Sequence, residues 1–425
     1  TYLMYESLMN CVITQRRNSW AYQAVLNHFK EVIFMTYFVG IDIAKFKHDC
    51  FIQDHNGVVI RHSFSFRNNQ DGFNILLDAL NGLDHSQEIK IGLEATGHYG
   101  SNIKQFLNSS DYSFMEFNPL LIKRFSQATT LRKTKTDKID AALISSFLMT
   151  VDYKPITHTS YHTSALKSLT RLRESLVKER SLTLVRITNV LDIIFPEFKP
   201  LFDNSLKSST CMYILENYSS PDRISRMNVE SYNKMKSKLR KTISYDKFLK
   251  IRDAAKSTVG TTDEIYVYEL QILLGIYKEL DSRISDLENK IIQYYRQFNS
   301  HIHTIKGVSE LSAAAIYAEL NGVTGFRNPD QILAFAGLDC SRIQSGESDK
   351  NGRMVKHGSS ALRCVLMRCA DSFALHNPVV YEYKMKKMNE GKFFRVALSH
   401  VAKKLVRTIY TLEKNDLDFD QSKLR

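Results

Sequence analysis

The sequence predicts an α/β domain in its first third and a mainly helical remainder. Three observations carry that prediction. Between residues 37 and 117, short apolar runs with β-branched and aromatic residues are bounded by turn residues. Helical patterns interleave with the later runs. From residue 164 on, apolar residues recur every three or four positions over long stretches, which is helical spacing.

Strand-like runs fall at 37–43, 46–53, 58–66, 89–94 and 112–117, with Asn56-Gly57 as the hairpin turn between the second and third. Helical patterns fall at about 70–82, 98–108, 119–127 and 136–149. Three strands, then alternating helices and strands, suit a ribonuclease H-like fold. In that fold an acid on the first strand and an acid ending the fourth meet acids on the last helix. Asp42 lies within the buried-strand run Val39-Gly40-Ile41-Asp42-Ile43, and Glu94 ends Ile91-Gly92-Leu93-Glu94. Asp137 and Asp140 are three residues apart at a helix start and share one face. A lone pair of that kind is ordinarily favourable charge at a helix N-terminus. Acids in buried strands are costly without a partner, and four in these settings point to a hard divalent cation, Mg²⁺ or Mn²⁺.

The chain has 425 residues, 43% of them hydrophobic, enough for two or three domains with sizeable cores. No apolar run approaches the ~20 residues that cross a bilayer. Six cysteines without C-x-x-C spacing fit scattered reduced thiols, which places the protein in the cytoplasm, associated with the nucleoid. The net charge of +13 favours a polyanionic partner. Residues 121–138 hold six basic residues and one acid, among them Lys123, Arg124, Arg132, Lys133 and Lys135. Residues 341–407 hold 14 Lys/Arg against 5 Asp/Glu, including Arg353, Lys356 and Arg363. Acids for metal beside basic runs suit a phosphodiester substrate.

Residues 1–34 look foreign to the rest of the chain, and the expectation is an upstream extension with Met35 as the natural start. Residues 35–150 form the catalytic α/β domain. In 151–300, a helix over 164–196 and a heptad seam over 264–297 (Tyr266, Leu270, Leu273, Tyr277, Leu280, Ile284, Leu287, Ile291, Tyr294) predict a coiled coil. Oligomerisation through it, as dimer or tetramer, is placed slightly ahead of a hairpin within one chain. Residues 197–262 are polar and unassigned. Residues 301–415 form the C-terminal domain, and 416–425 a tail. Ile302 to Ser309 with small residues at 312–315 suggests a helix-hairpin-helix start able to take a phosphate. Ser345, in a loop with Gly346, is by chemistry alone an ordinary turn residue or a phosphate-attacking hydroxyl.

Taken together, the motifs resemble the IS110/IS1111 family of insertion-sequence transposases. The N-terminal likeness is Gly40-Ile41-Asp42-Ile43-Ala44-Lys45, Leu93-Glu94-Ala95-Thr96-Gly97 and Thr136-Asp137-Lys138-Ile139-Asp140-Ala141. The C-terminal likeness runs from Ile305-Lys306-Gly307-Val308 through Phe335-Ala336-Gly337-Leu338, Gln344-Ser345-Gly346, Gly352-Arg353, Lys356, Gly358 and Leu362-Arg363 to Gly391-Lys392 and Val396-Ala397-Leu398. The resemblance implies a RuvC-like domain whose Asp42, Glu94, Asp137 and Asp140 bind Mg²⁺. It implies a coiled coil and a C-terminal transposase domain in which Ser345 attacks DNA. It implies a structured non-coding (bridge) RNA that guides the choice of DNA. The wide separation of acids and serine suggests a site shared between subunits. The alternative is a RuvC-like metal-dependent endonuclease with water as nucleophile.

Overall fold

The computed structural model describes residues 36–129, 137–155, 161–203, 205–345 and 348–424. The expected extension at 1–34 and the basic Arg132, Lys133 and Lys135 lie outside the described residues. The chain divides between Tyr161 and His162 into two compact units, so residues 162–425, expected as two regions and a tail, form one.

The first unit is mixed α/β. Strands β1 (Thr36–Ile43), β2 (Lys47–Asp54) and β3 (Val59–Arg67) form an antiparallel meander. At the second turn Gly57 takes φ +80° and the Asp54 carboxylate accepts from the amides of Asn56 and Val58. Helix α1 (Gln70–Asn81) follows, capped by the Asn69 side chain on Gly72 N–H. Then come β4 (Glu88–Glu94), α2 (Ser101–Ser109), β5 (Phe114–Phe117), α3 (Pro119–Thr129) and α4 (Asp137–Thr150). The sheet order is β3-β2-β1-β4-β5, with β4 parallel to both β1 and β5. One face packs α1 and α2 through Leu76, Leu80, Ile103 and Leu107 against Val39, Ile41, Ile91 and Leu93. The other packs α3 and α4 through Ile122, Ile144 and Leu148 against Phe38 and Phe117. Central strands buried on both faces account for their nearly continuous apolar sequence.

The second unit is built on two long helices, α5 (Tyr161–Ile194) and α10 (Glu264–Tyr295). Arg173 pairs with Glu288, and Arg180 with Asp281, so the two run antiparallel within one chain. Between them, α6 (Ser209–Tyr218), α7 (Pro221–Ser225), α8 (Val229–Lys238) and α9 (Tyr245–Lys256) occupy the stretch left unassigned from sequence. They close one core over the far end of the pair, with Phe195, Phe198, Ile214, Phe248 and Leu270. Seam residues Leu270, Leu273, Ile284 and Ile291 are buried within this chain, so the heptad pattern has an internal partner.

A second core at the near end gathers α11 (Glu310–Leu320), α12 (Pro329–Ala336), α13 (Ser360–His376), α14 (Pro378–Asn389) and α15 (Phe394–Asn415). Strands β6 (Cys340–Ser345) and β7 (Ser348–Met354) form a hairpin between α12 and α13. The expected helix before Gly307 is a single 3₁₀ turn, Ile302–Thr304. Gly307, at φ +94°, lies so close to α13 that a Cβ would sit 2.5 Å from Ser372 O. Close packing accounts for that glycine, which replaces the helix-hairpin-helix expectation.

Candidate active site

Helix α4 crosses the sheet in contact with β1. A Cβ on Gly40 would lie 2.2 Å from Ala141 O and 2.4 Å from Ser145 N, so only glycine allows the approach. The Ser145 hydroxyl donates to Phe38 O at 2.9 Å, one step back along the strand. Moving from Ser145 to Ala141 along the helix therefore moves from Phe38 to Gly40 along β1. The next turn, holding Asp140 and Asp137, comes over Asp42.

Residue parity sets the face. Phe38 and Gly40 face α4, and so does Asp42, two further on. In β4, Gly92 faces Ile144 and Leu148, and so does the side of Glu94. The parallel register pairs Gly40 with Gly92 and Ile41 with Leu93, which puts Asp42 level with Glu94 on the adjoining strand. Asp42, Glu94 and Asp140 thus share one face and one end of the sheet, each half-buried, beneath the N-terminus of α4. That helix end favours negative charge. Asp137 is the first residue of α4, and its side chain lies outside the described residues. Among the described residues no three Asp, Glu, His or Cys side chains close into a metal-ligand cluster. The donor set is nonetheless all carboxylate oxygen, the set a hard divalent cation takes.

A further carboxylate escaped the sequence reading. Asp49 stands directly across β1–β2 from Asp42, hence on the same face, and is buried. Ser65 on β3 donates to it at 2.5 Å and Lys47 lies 3.5 Å away. Its signal was there: an acid in a strand-like run, whose partner needed only the hairpin register.

The second group of expected site residues belongs to the second unit. Ser345 ends β6 opposite Ser348, at the tip of the hairpin and not in a loop as expected; the polar stretch up to Gly352 pairs as β7. The side chains of Ser345 and Arg353 lie outside the described residues. At the hairpin's base Val355 N–H donates to Asp339 O. Lys356 is exposed with φ +55°. Arg363 donates to Ala336 O at 2.9 Å and leans on Lys356 O at 3.4 Å, so its guanidinium stitches the base of the hairpin. Below it, buried Glu319 on α11 accepts two bonds from Arg171, at 2.7 and 3.1 Å, and one from the Ser359 hydroxyl at 2.9 Å. Burial pushes its pKa up, but Arg171, Lys167 and Ser359 outweigh that and hold it below the usual range. Lys123 and Arg124, on α3 of the first unit, are exposed.

Both segments match known protein families. Residues 39–196, which span the acids, match the IS110 family of DEDD transposases, and residues 299–384, which span the hairpin, match the transposase IS116/IS110/IS902 family. The chain belongs to the IS110 family of transposases. An "Insertion element IS116 uncharacterized 44.8 kDa protein" from Streptomyces clavuligerus is 22% identical over 88% of this chain and 94% of its own length. A "Probable family 20 transposase" from Pseudomonas aeruginosa is 26% identical over 22% of this chain and 31% of its own. IS110-family membership makes the protein a transposase of insertion elements, hence a DNA-processing protein. No described helix is long and apolar enough to cross a membrane.

Proposed function

We propose that this transposase cuts and exchanges DNA strands by covalent catalysis through Ser345, with four acids on a ribonuclease H-like (RuvC-like) domain holding Mg²⁺ or Mn²⁺. The observation that carries the reading is the gathering of Asp42, Glu94 and Asp140 at one end of one sheet face, from positions nearly a hundred residues apart. The strand order, a meander of three followed by two parallel strands, supports the fold assignment. A divalent cation held by these acids and Asp137 supplies charge neutralisation for the phosphoryl oxygens.

The Ser345 Oγ attacks phosphorus, its proton passing through a nearby base to the leaving 3′ oxygen. The P–O bond to the 3′ oxygen breaks, giving a 5′-phosphoserine ester and a free 3′ hydroxyl. A 3′ hydroxyl from another strand then attacks the ester and returns the proton to serine, so exchange needs no outside energy. Lys356 and Arg353 steady the phosphate, and Arg363 orders the base of the hairpin. Lys123, Arg124 and the basic stretch through Lys135 track the DNA backbone. A structured guide RNA and a homo-oligomer complete the assembly we envisage; the +13 charge supports a second polyanion.

Denaturing electrophoresis of the full chain with labelled element-end DNA tests this. Ser345→Ala should abolish the protein–DNA adduct while binding persists. An adduct that survives refutes the serine. Cleavage products without any adduct support water as nucleophile. Asp140→Asn should lose metal-dependent cleavage, and unchanged cleavage removes the acids from the mechanism.

A further inference from the structure

Helices α14 and α15 and their turn carry a second basic surface that the expected site residues do not include. Residues 378–407 hold eight Lys/Arg (384, 386, 387, 392, 395, 403, 404 and 407) against Glu382 and Glu390. Lys384 is buried and paired with Asp371, Lys387 pairs with Glu390 and Arg407 with Asp330, while Lys386, Lys392 and Arg395 are exposed and Lys403 and Lys404 half-buried. These cations interleave with rings. Lys404 and Lys387 lie 4.7 and 5.6 Å from the centroid of Tyr383, and Lys384 lies 4.9 Å from that of Phe394. His400 reports the local field: burial lowers its pKa, and Lys403, Lys387 and Lys392 lower it further.

Phe393 is the odd residue. Gly391, at φ +81°, turns the chain after α14 and presents Lys392 and Phe393 at the start of α15. Phe393 is the N-cap there, with no side-chain hydrogen bond to offer, and is 85% exposed. Every other consideration of folding would favour Ser, Asn or Asp at that position. Neither burial nor capping explains the ring. Tyr381 and Phe394 nearby are 43% and 46% exposed.

We propose that this surface binds an unpaired stretch of nucleic acid, Lys386, Lys392, Arg395 and Lys403 following the phosphates while Phe393 stacks on an unstacked base. The charge balance selects a polyanion over an apolar protein partner. The exposed ring selects an unpaired strand, because duplex bases keep their faces covered whereas a single strand offers them. DNA and RNA share this chemistry. The proposal rests on the nucleic-acid-processing role proposed for this transposase but not on its chemistry.

The test uses the full-length protein and fluorescence anisotropy with labelled DNA and RNA strands of about 16 nucleotides, plus the DNA duplex of the same sequence. Phe393→Ser installs a good N-cap, so loss of folding cannot explain its effect. It should weaken single-strand binding about tenfold and duplex binding less than about twofold, with Phe393→Trp restoring affinity. Replacing Lys392, Arg395 and Lys403 together by Gln should flatten the salt dependence of single-strand binding by roughly two logarithmic units of slope. Preference between the DNA and RNA strands names the natural ligand. Unchanged single-strand affinity in Phe393→Ser overturns the proposal, as does an equal loss on duplex or a change in oligomeric mass. Ser345→Ala should leave the Phe393-dependent binding intact. If cleavage chemistry fails its own test while this binding persists, only the catalytic reading falls.

Discussion

Replacing Gly40 by Ala probes the contact that brings the acids together. The added Cβ would lie 2.2 Å from Ala141 O, 2.4 Å from Ser145 N and 2.9 Å from Ser145 Cβ. The first two are backbone atoms of a helix, so no side-chain rotation relieves them. Restoring ordinary contact requires α4 to retreat from β1 by about 1.2 Å or more. Overpacking of this kind costs about 1–3 kcal/mol, and the retreat also strains the Ser145–Phe38 bond and opens the core beneath Ile144 and Leu148. Asp140 moves with the helix while Asp42 and Glu94 stay on the sheet. A shift near 1 Å costs on the order of a hundredfold in rate where groups must converge on one phosphate. Urea unfolding and a DNA-cleavage time course read the two effects on one variant. The control is Gly82→Ala at the end of α1, where a Cβ meets nothing nearer than 3.3 Å and φ is −76°. Gly40→Ala with stability within about 0.5 kcal/mol of the parent and full cleavage refutes the idea that this contact sets the site.

Other outcomes depend on buried polar groups. His48 is wholly buried, stacked against Phe73, with neither ring nitrogen hydrogen-bonded to a described residue. Burial lowers its pKa, so the unfolded chain takes the proton first and stability falls as pH drops below about 6.5; His48→Phe should remove that slope in urea titrations and stabilise by ~1–2 kcal/mol. Glu319 is 3% exposed and its partner Arg171 56%, so removing the arginine leaves a buried charge with only Lys167 and Ser359, while removing the acid frees a solvated one. Arg171→Ala should therefore cost about 3 kcal/mol against ~1–2 for Glu319→Gln in the same assay. Because the Glu319 pKa is held low, its contribution should be full above about pH 4.3 and fade as pH falls through the folded value. His301 bonds Asp418 at 2.8 Å and Asp416 at 2.9 Å, and both raise its pKa. That tie should be fully present below about pH 6.5 and lost as pH rises through the folded pKa, so limited proteolysis after residue 416 should speed up at alkaline pH, and His301→Gln should abolish the difference.

The first unit was legible because its signals are local. Short apolar runs marked each strand, Asn56-Gly57 marked a turn, and the glycines at 40 and 92 let α4 sit on the sheet where the acids were expected to meet. Asp49 was missed because its neighbourhood with Asp42 is a matter of register across a hairpin, which periodicity does not report. The heptad seam in α10 was clear, but a seam names no partner; its burial within this chain and the ion pairs to α5 show one. The stretch 197–262 stayed opaque because its helices are short and their core residues scattered. Its caps at Ser208, Ser220, Asn228 and Ser244 were nevertheless readable, each accepting from an amide three residues on. Arg363 illustrates the converse: its charge suggested phosphate, while the tie of its Nη1 to two carbonyls at the hairpin base left no trace in the sequence.

The antiparallel pair of α5 and α10 acts as a ruler. Thirty-four residues at about 1.5 Å each make a strut of roughly 50 Å, rooted at either end in a separate core. Its length can change only if both rods change together, because an addition to one alone breaks the lattice of contacts along the other. Paired insertions of seven keep each stripe in phase, so descendants of this chain that reach further or less far should differ by such matched steps.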